Sequence, residues 1–186
     1  VVALVIRLFV GMALPKPQGD RLASLCIGVK GARWVDQQNF HITLRFIGDV
    51  QEPGVEEIIG ELTRIDWPPF FVTLSGVGHF GSRKKVRALW AGVQSDPHLF
   101  DLHSKIEAAL IKCDIKSEGK RFIPHVTLAR LKNVQPKYTK DWILRHNLFC
   151  VDKFLTEEIT LFESHRTNAG SIYIPLCIFP GREFNV

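Results

Sequence analysis

The sequence contains the pattern His-x-Thr-Leu twice, as HITL at residues 41–44 and as HVTL at residues 125–128. Side chains alternate between the two faces of a strand. His41 and Thr43 are therefore expected on one face, with the two aliphatic residues of that copy on the other. Each copy thus predicts a strand that buries two aliphatic side chains in a core and presents an imidazole beside a hydroxyl on the opposite face.

Strand and helix patterns are interspersed along the rest of the chain, with several predicted hairpin turns between strands. The predicted strands cover residues 4–14, 33–35, 39–48, 70–80, 86–93, 122–131, 157–166 and 171–179. The predicted helices cover residues 21–31, 53–65, 96–113 and 139–147. Hairpins favour antiparallel pairing, so we predict an α+β fold with two pseudo-symmetric lobes of antiparallel sheet and outer helices. We expect one domain over residues 1–186, with one H-x-T motif from each lobe.

Composition is that of an ordinary globular protein, with 46% hydrophobic and 23% charged residues. The net charge of +5 favours a polyanionic partner, although many basic proteins bind no nucleic acid. The four cysteines are scattered without a C-x-x-C pair, which fits free thiols in a reducing cytosol. The apolar start is interrupted by Arg7 and predicts a buried strand ending at Pro15 rather than a signal peptide. We expect a cytoplasmic monomer without a membrane span.

A pseudo-twofold relation between the lobes would bring the faces carrying the two histidines and the two threonines together in a central cleft. Displacement at a phosphodiester needs a base for the attacking oxygen and an acid for the departing one, and imidazole can serve as either near neutral pH. Threonine hydroxyls can donate hydrogen bonds to the non-bridging oxygens. The motif pair therefore predicts phosphodiester chemistry with His41, Thr43, His125 and Thr127 at the site.

Other kinds of site fit the sequence less well. A single strand histidine such as His41 is most often structural, and only the matched second copy favours a catalytic role. Each H-x-T motif supplies one imidazole and no nearby carboxylate, which is not the spacing of metal ligands. The chain has no G-x-S-x-G motif and no cysteine in an activating context. We expect neither a metal nor a cofactor.

The paired motifs resemble those of the 2H phosphoesterase superfamily, in particular its RNA 2′,3′-cyclic phosphodiesterase branch, which is also called the LigT-like or 2′-5′ RNA ligase family. The similarity extends over nearly the whole chain, from RLFVGMALP through FHITLRFIGD and PHVTLARLKN to SIYIPLCIFP. It implies a bilobal fold with a cleft between antiparallel sheets. It also implies metal-independent opening of a 2′,3′-cyclic phosphate at an RNA end, such as that of a tRNA fragment, to leave a 2′-phosphate.

The resemblance also implies roles for individual residues. His41 corresponds to the general acid that protonates the departing O3′, and His125 to the general base that activates water. Because the two motifs are nearly symmetric, the opposite assignment, with His125 as the acid and His41 as the base, stays open. Thr43 and Thr127 correspond to hydroxyls that orient the phosphate, and Arg130 to an arginine that contacts it.

Strict alternation conflicts with the role of Arg130, because it places this residue on the face of Leu128, away from His125. A twist or bulge after Leu128, or a side chain that reaches around the strand end, would resolve the conflict. Alternation instead places Arg45 on the His41 face. Arg45 is therefore a second candidate for phosphate contact, with a solvated rim position as the alternative.

Two further features have an open role. The basic turn GSRKKVR, with Arg83, Lys84, Lys85 and Arg87, is either a contact for the RNA backbone or a solvated hairpin tip. Phe9, Trp34 and Tyr173 are aromatic residues able to stack on a base, but most such residues belong to the core.

Alternative functions that use the same residues also stay open. The chain could be a non-catalytic RNA-binding module. It could also be a phosphodiesterase for 2′-5′ oligonucleotides or small cyclic nucleotides, with 2′-5′ ligation as the reverse reaction.

Overall fold

The computed structural model describes residues 4–82, 84–167 and 170–182. The elements of the first half are β1 (Val5–Ala13), α1 (Lys16–Ala23), β2 (Ala32–Trp34), a short 3-10 helix (Gln37–Asn39), β3 (His41–Gln51), α2 (Glu52–Thr63), β4 (Phe70–Val72) and β5 (Leu74–Ser82). Those of the second half are β6 (Lys85–Val93), α3 (Pro97–Lys112), β7 (His125–Leu131), α4 (Pro136–His146), β8 (Phe154–Thr156), β9 (Glu158–Arg166) and β10 (Ser171–Pro180). Leaving aside β2, the 3-10 helix and β10, each half follows one order: strand, helix, strand, helix, short strand, strand.

The strands form one antiparallel sheet in the order β10-β9-β1-β3-β7-β6-β5, with β2 paired to β7. The last strand of each repeat joins the first strand of the other, because β5 pairs with β6 and β9 pairs with β1. The short strands β4 and β8 pair with each other in a separate two-stranded sheet. The mixed, mainly antiparallel architecture of two similar halves confirms the predicted fold class.

The two halves meet where β3 pairs with β7 through Ile42 and Val126, the middle residues of the two H-x-T motifs. Both side chains are fully buried, at 0% exposure. In an antiparallel pair this register places the histidine of each motif next to the threonine of the other. The pseudo-twofold axis therefore passes between the motifs and brings all four polar side chains to one region of the sheet.

The helices cover the opposite face of the sheet and supply its core. Helices α2 and α3 pack against β3 and each other, and α4 packs against β5 and β6. The largest fully buried side chains include Trp67 and Trp142, and the indole Nε1 of Trp142 donates to the Leu25 carbonyl at 2.9 Å. No helix in the described residues is both long and apolar enough to cross a membrane.

Both motif strands contain a bulge directly after the threonine. In β3, Thr43 and Arg45 lie opposite consecutive residues of β1, so Leu44 is an extra residue in the strand. In β7, Thr127 and Ala129 lie opposite consecutive residues of β6, so Leu128 is extra. A bulge reverses the facing of the side chains that follow it.

The reversal turns Arg130 toward the histidine face, where it is exposed. The bulge at Leu128 thereby removes the conflict between strict alternation and a phosphate-contacting Arg130. The equivalent position after the first motif is Phe46, which is also exposed.

The same reversal makes the prediction for Arg45 wrong. Arg45 is only 4% exposed and lies on the helix face, so it is neither a phosphate-contact candidate nor a rim residue. Its guanidinium forms an ion pair with Glu107 of α3 and also donates to the carbonyls of Phe46 and, at 2.6 Å, Lys116. The arginine therefore ties β3 to α3 and to the loop that follows.

The predicted helix over residues 21–31 is also wrong, because α1 spans Lys16–Ala23. Proline near its N-terminus suits the first helical turn, and the chain then turns through Gly28 and Gly31, both with positive φ. The predicted strand over residues 70–80 is divided into β4 and β5. The strand β8 was not predicted.

Replacing Glu107 by alanine should lower the free energy of unfolding by about 3 kcal/mol, because it leaves the buried Arg45 guanidinium without its counter-charge. Urea unfolding followed by circular dichroism measures the change. Asp101→Ala is the matched control, since it removes an exposed ion pair with Lys105 on the same helix and should cost far less. Equal losses in the two variants would contradict the structural role of the Arg45–Glu107 pair.

Candidate functional site

A cavity of about 460 Å³ lies on the histidine face of the sheet. Four of the five predicted site residues line it, namely His41, Thr43, Thr127 and Arg130. His125 lies next to the cavity rather than in its lining, at the position beside Thr43 that the register defines. The structure thus brings the predicted residues of both motifs together.

His41 is fixed by its neighbours on β1, β9 and β10. Its Nδ1 donates to the Asn39 carbonyl at 2.7 Å, and the Asn39 side chain donates to the Ser171 carbonyl at 2.8 Å. The rings of Phe9 and Tyr173 pack against the imidazole, with centroids 4.8 and 4.9 Å away. These contacts orient the ring and remove much of its solvent.

His125 has an equivalent environment in the other half. Its Nδ1 donates to the Ile123 carbonyl at 2.6 Å, again two residues before the histidine. Phe80 meets the imidazole edge-on at 4.7 Å, and Trp90 lies 6.2 Å away. The indole of Trp90 lies over Gly78, where a Cβ would be 2.3 Å from the ring, so this position requires glycine.

These hydrogen bonds fix the tautomer of both imidazoles. A carbonyl oxygen can only accept, so the proton of each neutral ring lies on Nδ1 and the lone pair lies on Nε2. Nε2 is therefore the atom of each ring that can take up or release a proton.

Burial is the largest cause that lowers the pKa of His41 to about 4; the charges of His125 and Arg130 act in the same direction, and the hydrogen bond to Asn39 opposes them. Burial is also the main cause of a lowered pKa at His125, with Arg130 contributing. Both rings are therefore mainly neutral at pH 7. The β3–β7 register places His41 and His125 on the same face of the sheet, and Arg130 lines the cavity with His41.

The bulge positions make the two halves of the site chemically different. Arg130 supplies a guanidinium, whereas its counterpart Phe46 supplies an exposed ring with the guanidinium of Arg7 5.0 Å from its centroid. Arg7 also forms an ion pair with Asp49 at 3.0 Å. A phosphate at the centre of the site would therefore find a donor fork on one side and an aromatic surface on the other.

The three aromatic residues that the sequence indicated as able to stack on a base have different surroundings. Phe9 and Tyr173 pack on His41, so they shape the imidazole environment. Trp34 lines the cavity and packs on Trp142, with centroids 6.1 Å apart.

The basic turn lies at the tip of the β5–β6 hairpin, outside the cavity lining, and its Lys84, Lys85 and Arg87 are exposed. Arg83 lies outside the described residues.

The sequence did not indicate three residues that surround the histidines. Asn39 accepts a hydrogen bond from His41, Phe80 packs against His125, and the Phe162 ring lies near His41. Phe80 and Phe162 occupy equivalent places on β5 and β9, the last strands of the two repeats. An alignment of the two repeats would have shown that Phe80 and Phe162 are an equivalent pair of aromatic residues. Asn39 acts on His41 through its backbone carbonyl, which no residue type reveals.

Among the described residues, no group of three or more His, Cys, Asp or Glu side chains is arranged to hold a metal ion. The two motif imidazoles lie next to hydroxyl, guanidinium and aromatic groups instead. The site chemistry that these residues can supply is proton transfer and anion binding.

Comparison with known proteins gives consistent results. The family model described as LigT like phosphoesterase matches residues 12–90 and 92–173. The RNA 2′,3′-cyclic phosphodiesterase of Thermotoga maritima is 32% identical over 155 residues, 81% of each chain. The protein of the same name from Methanocaldococcus jannaschii is 28% identical over 170 residues, 90% of this chain and 96% of the relative.

Solved structures show the same fold. E. coli LigT complexed with 3′-AMP superposes with a TM-score of 0.79 and 22% identity over 97% of this chain and 100% of that one. The protein TT0787 of Thermus thermophilus superposes with a TM-score of 0.81 and 24% identity over 96% and 100%. The sequence match spans both motifs and the paired histidines lie in one site, so the chain belongs to the LigT-like phosphoesterase family of 2H phosphoesterases.

Proposed function

We propose that the protein is an RNA 2′,3′-cyclic phosphodiesterase that opens a terminal cyclic phosphate to a 2′-phosphate. The observation that carries the proposal is the matched pair of imidazoles, each held by a carbonyl at Nδ1 and each leaving Nε2 available, on the two sides of one pseudo-twofold axis. The names of the relatives support RNA ends as the substrate.

In the proposed reaction the oxygen of a water molecule forms a bond to phosphorus as the bond from phosphorus to O3′ breaks. Nε2 of His125 takes the proton from water, and Nε2 of His41 gives a proton to O3′. The phosphate stays on O2′. After this step His125 carries the proton from water and His41 has lost its proton, so transfer of one proton from His125 to His41 restores the reactive pair. No metal takes part.

The cavity supports this assignment of roles. His41 lines the cavity and His125 does not, so we assign the ribose that carries the departing O3′ to the His41 side and the attacking water to the His125 side. His41 must be protonated to act as the acid, although burial lowers its pKa and favours the neutral ring. A bound phosphodiester anion supplies the charge that raises its pKa, and this effect is strongest where water is excluded.

Thr43 and Thr127 lie beside the histidine of the opposite motif and are proposed to donate to the non-bridging oxygens. Arg130 is proposed to contact the same phosphate with its planar fork. Each half of residues 1–186 thus supplies one motif to a single catalytic unit. Attack by the 5′-hydroxyl of a second RNA in place of water would form a bond from phosphorus to O5′ as the bond to O3′ breaks, and this 2′-5′ ligation is proposed as a secondary activity. A cytoplasmic location and a monomeric state remain predictions.

Replacing either His41 or His125 by alanine should reduce the opening of an RNA 2′,3′-cyclic phosphate by about 10²–10⁴-fold, because each variant loses one proton transfer. EDTA should leave the wild-type rate unchanged. The measurement is chromatography of the products, in which the 2′-phosphate should be the single new end.

His98→Ala, a change of an exposed histidine on α3, is the matched control and should keep the wild-type rate. Full activity in both motif variants would rule out the two-histidine mechanism. Tight RNA binding without turnover by the wild-type protein would instead identify a binding module. Faster turnover of 2′-5′ oligonucleotides or small cyclic nucleotides would select those substrate classes.

The lowered pKa values predict the pH dependence. The reactive pair holds one proton, whereas the free protein at neutral pH holds none, so kcat/KM should rise as the pH falls below 6.5 and fall again near pH 4, where His41 also becomes protonated. Bound phosphate raises both pKa values, so both limbs of the kcat profile should lie at higher pH. A kcat/KM optimum on the alkaline side of 7 would contradict the buried, neutral state of the pair.

A further inference from the structure

The cavity carries more positive charge than one reacting phosphate requires. Among the residues that the structure describes, its lining contains four arginines, Arg7, Arg33, Arg130 and Arg166, and one carboxylate, that of Asp36. Arg7 forms an ion pair with Asp49 and lies over the Phe46 ring. The other three lie on β2, β7 and β9.

Two of these arginines face each other across a strand pair. Arg33 of β2 lies directly opposite Arg130 of β7 in the antiparallel register, so both side chains project from the same face. Both are exposed and both line the cavity. Like charges in directly opposed positions destabilise a sheet, and an anion held between them offsets this repulsion.

The arginine pair lies beyond the catalytic residues along β7. His125 and Thr127 come first on the strand, then the bulge, and then Arg130 with Arg33 opposite. A phosphate that contacts the histidines and threonines is therefore followed, in this direction, by a second position lined by two guanidiniums. Arg130 can serve both positions because its fork has five N–H donors.

We propose that Arg33, together with Arg130, binds the phosphodiester on the 5′ side of the reacting nucleotide. This makes the end of an RNA chain, rather than an isolated nucleoside cyclic phosphate, the preferred substrate. The inference rests on the proposed function and adds a specificity-determining residue to it.

The test compares two dinucleotides that both end in a 2′,3′-cyclic phosphate. One has a natural internucleotide phosphodiester, and the other has an uncharged methylphosphonate in its place. The wild-type protein should show a kcat/KM at least about tenfold higher for the charged substrate, which is the size expected of charge-assisted hydrogen bonds. In Arg33→Gln this ratio should fall severalfold toward 1, with Arg130 supplying the preference that is left. Any loss common to both substrates cancels in the ratio.

Arg64→Gln is the matched control, because it removes the same charge from the C-terminal end of α2, away from the cavity, and should keep the wild-type ratio. Arg33→Lys should retain part of the ratio by charge alone. Equal kcat/KM values for the two substrates in the wild type, or an unchanged ratio in Arg33→Gln, would overturn the assignment. A nucleoside 2′,3′-cyclic phosphate serves as a separate check, because failure to open any of the three substrates removes the proposed function itself.

Discussion

The site depends on the pairing of Ile42 with Val126 at the centre of the sheet. This contact buries the middle residue of each motif and sets the register of the two strands. The register then places each histidine beside the threonine of the other half. A shift of one strand by one residue would turn its histidine and threonine toward the helices and its buried aliphatic residues away from them, so that the imidazole and hydroxyl would need new partners. The fully buried aliphatic pair thus holds the polar residues in place.

The pseudo-symmetry brings the two imidazoles together. Departures from this symmetry give the two histidines different surroundings, so that one can act as the acid and the other as the base. The histidines have matching hydrogen bonds from Nδ1, yet His41 lines the cavity and His125 lies next to it. The two bulges are also equivalent, yet one presents Arg130 and the other Phe46. Acid and base roles in a cyclic phosphate opening need such an asymmetry, because the substrate is attacked on one side and leaves on the other.

Much of the fold and the four motif residues could be predicted because alternation and a repeated motif are local signals. The faces of His41 and His125 followed directly from the strand pattern. The facing of Arg45 could not be predicted, because the bulge at Leu44 appears only in the register with β1. The burial of Arg45 is stabilised by Glu107, which lies 62 positions away in the chain. The facing and burial of Arg45 therefore depend on long-range pairing, which the local sequence pattern does not reveal.

Replacement of the leaving O3′ by sulfur tests the central claim, that one imidazole gives a proton while the other takes one. A thiolate leaves without protonation far more readily than an alkoxide, so a 3′-thio cyclic phosphate does not need the acid. The measurement is kcat/KM of His41→Ala and His125→Ala on the sulfur and oxygen substrates. We expect the deficit of His41→Ala to shrink by at least about tenfold on the sulfur substrate and that of His125→Ala to stay the same. Rescue of His125→Ala instead, or of neither variant, would contradict the assigned division of roles.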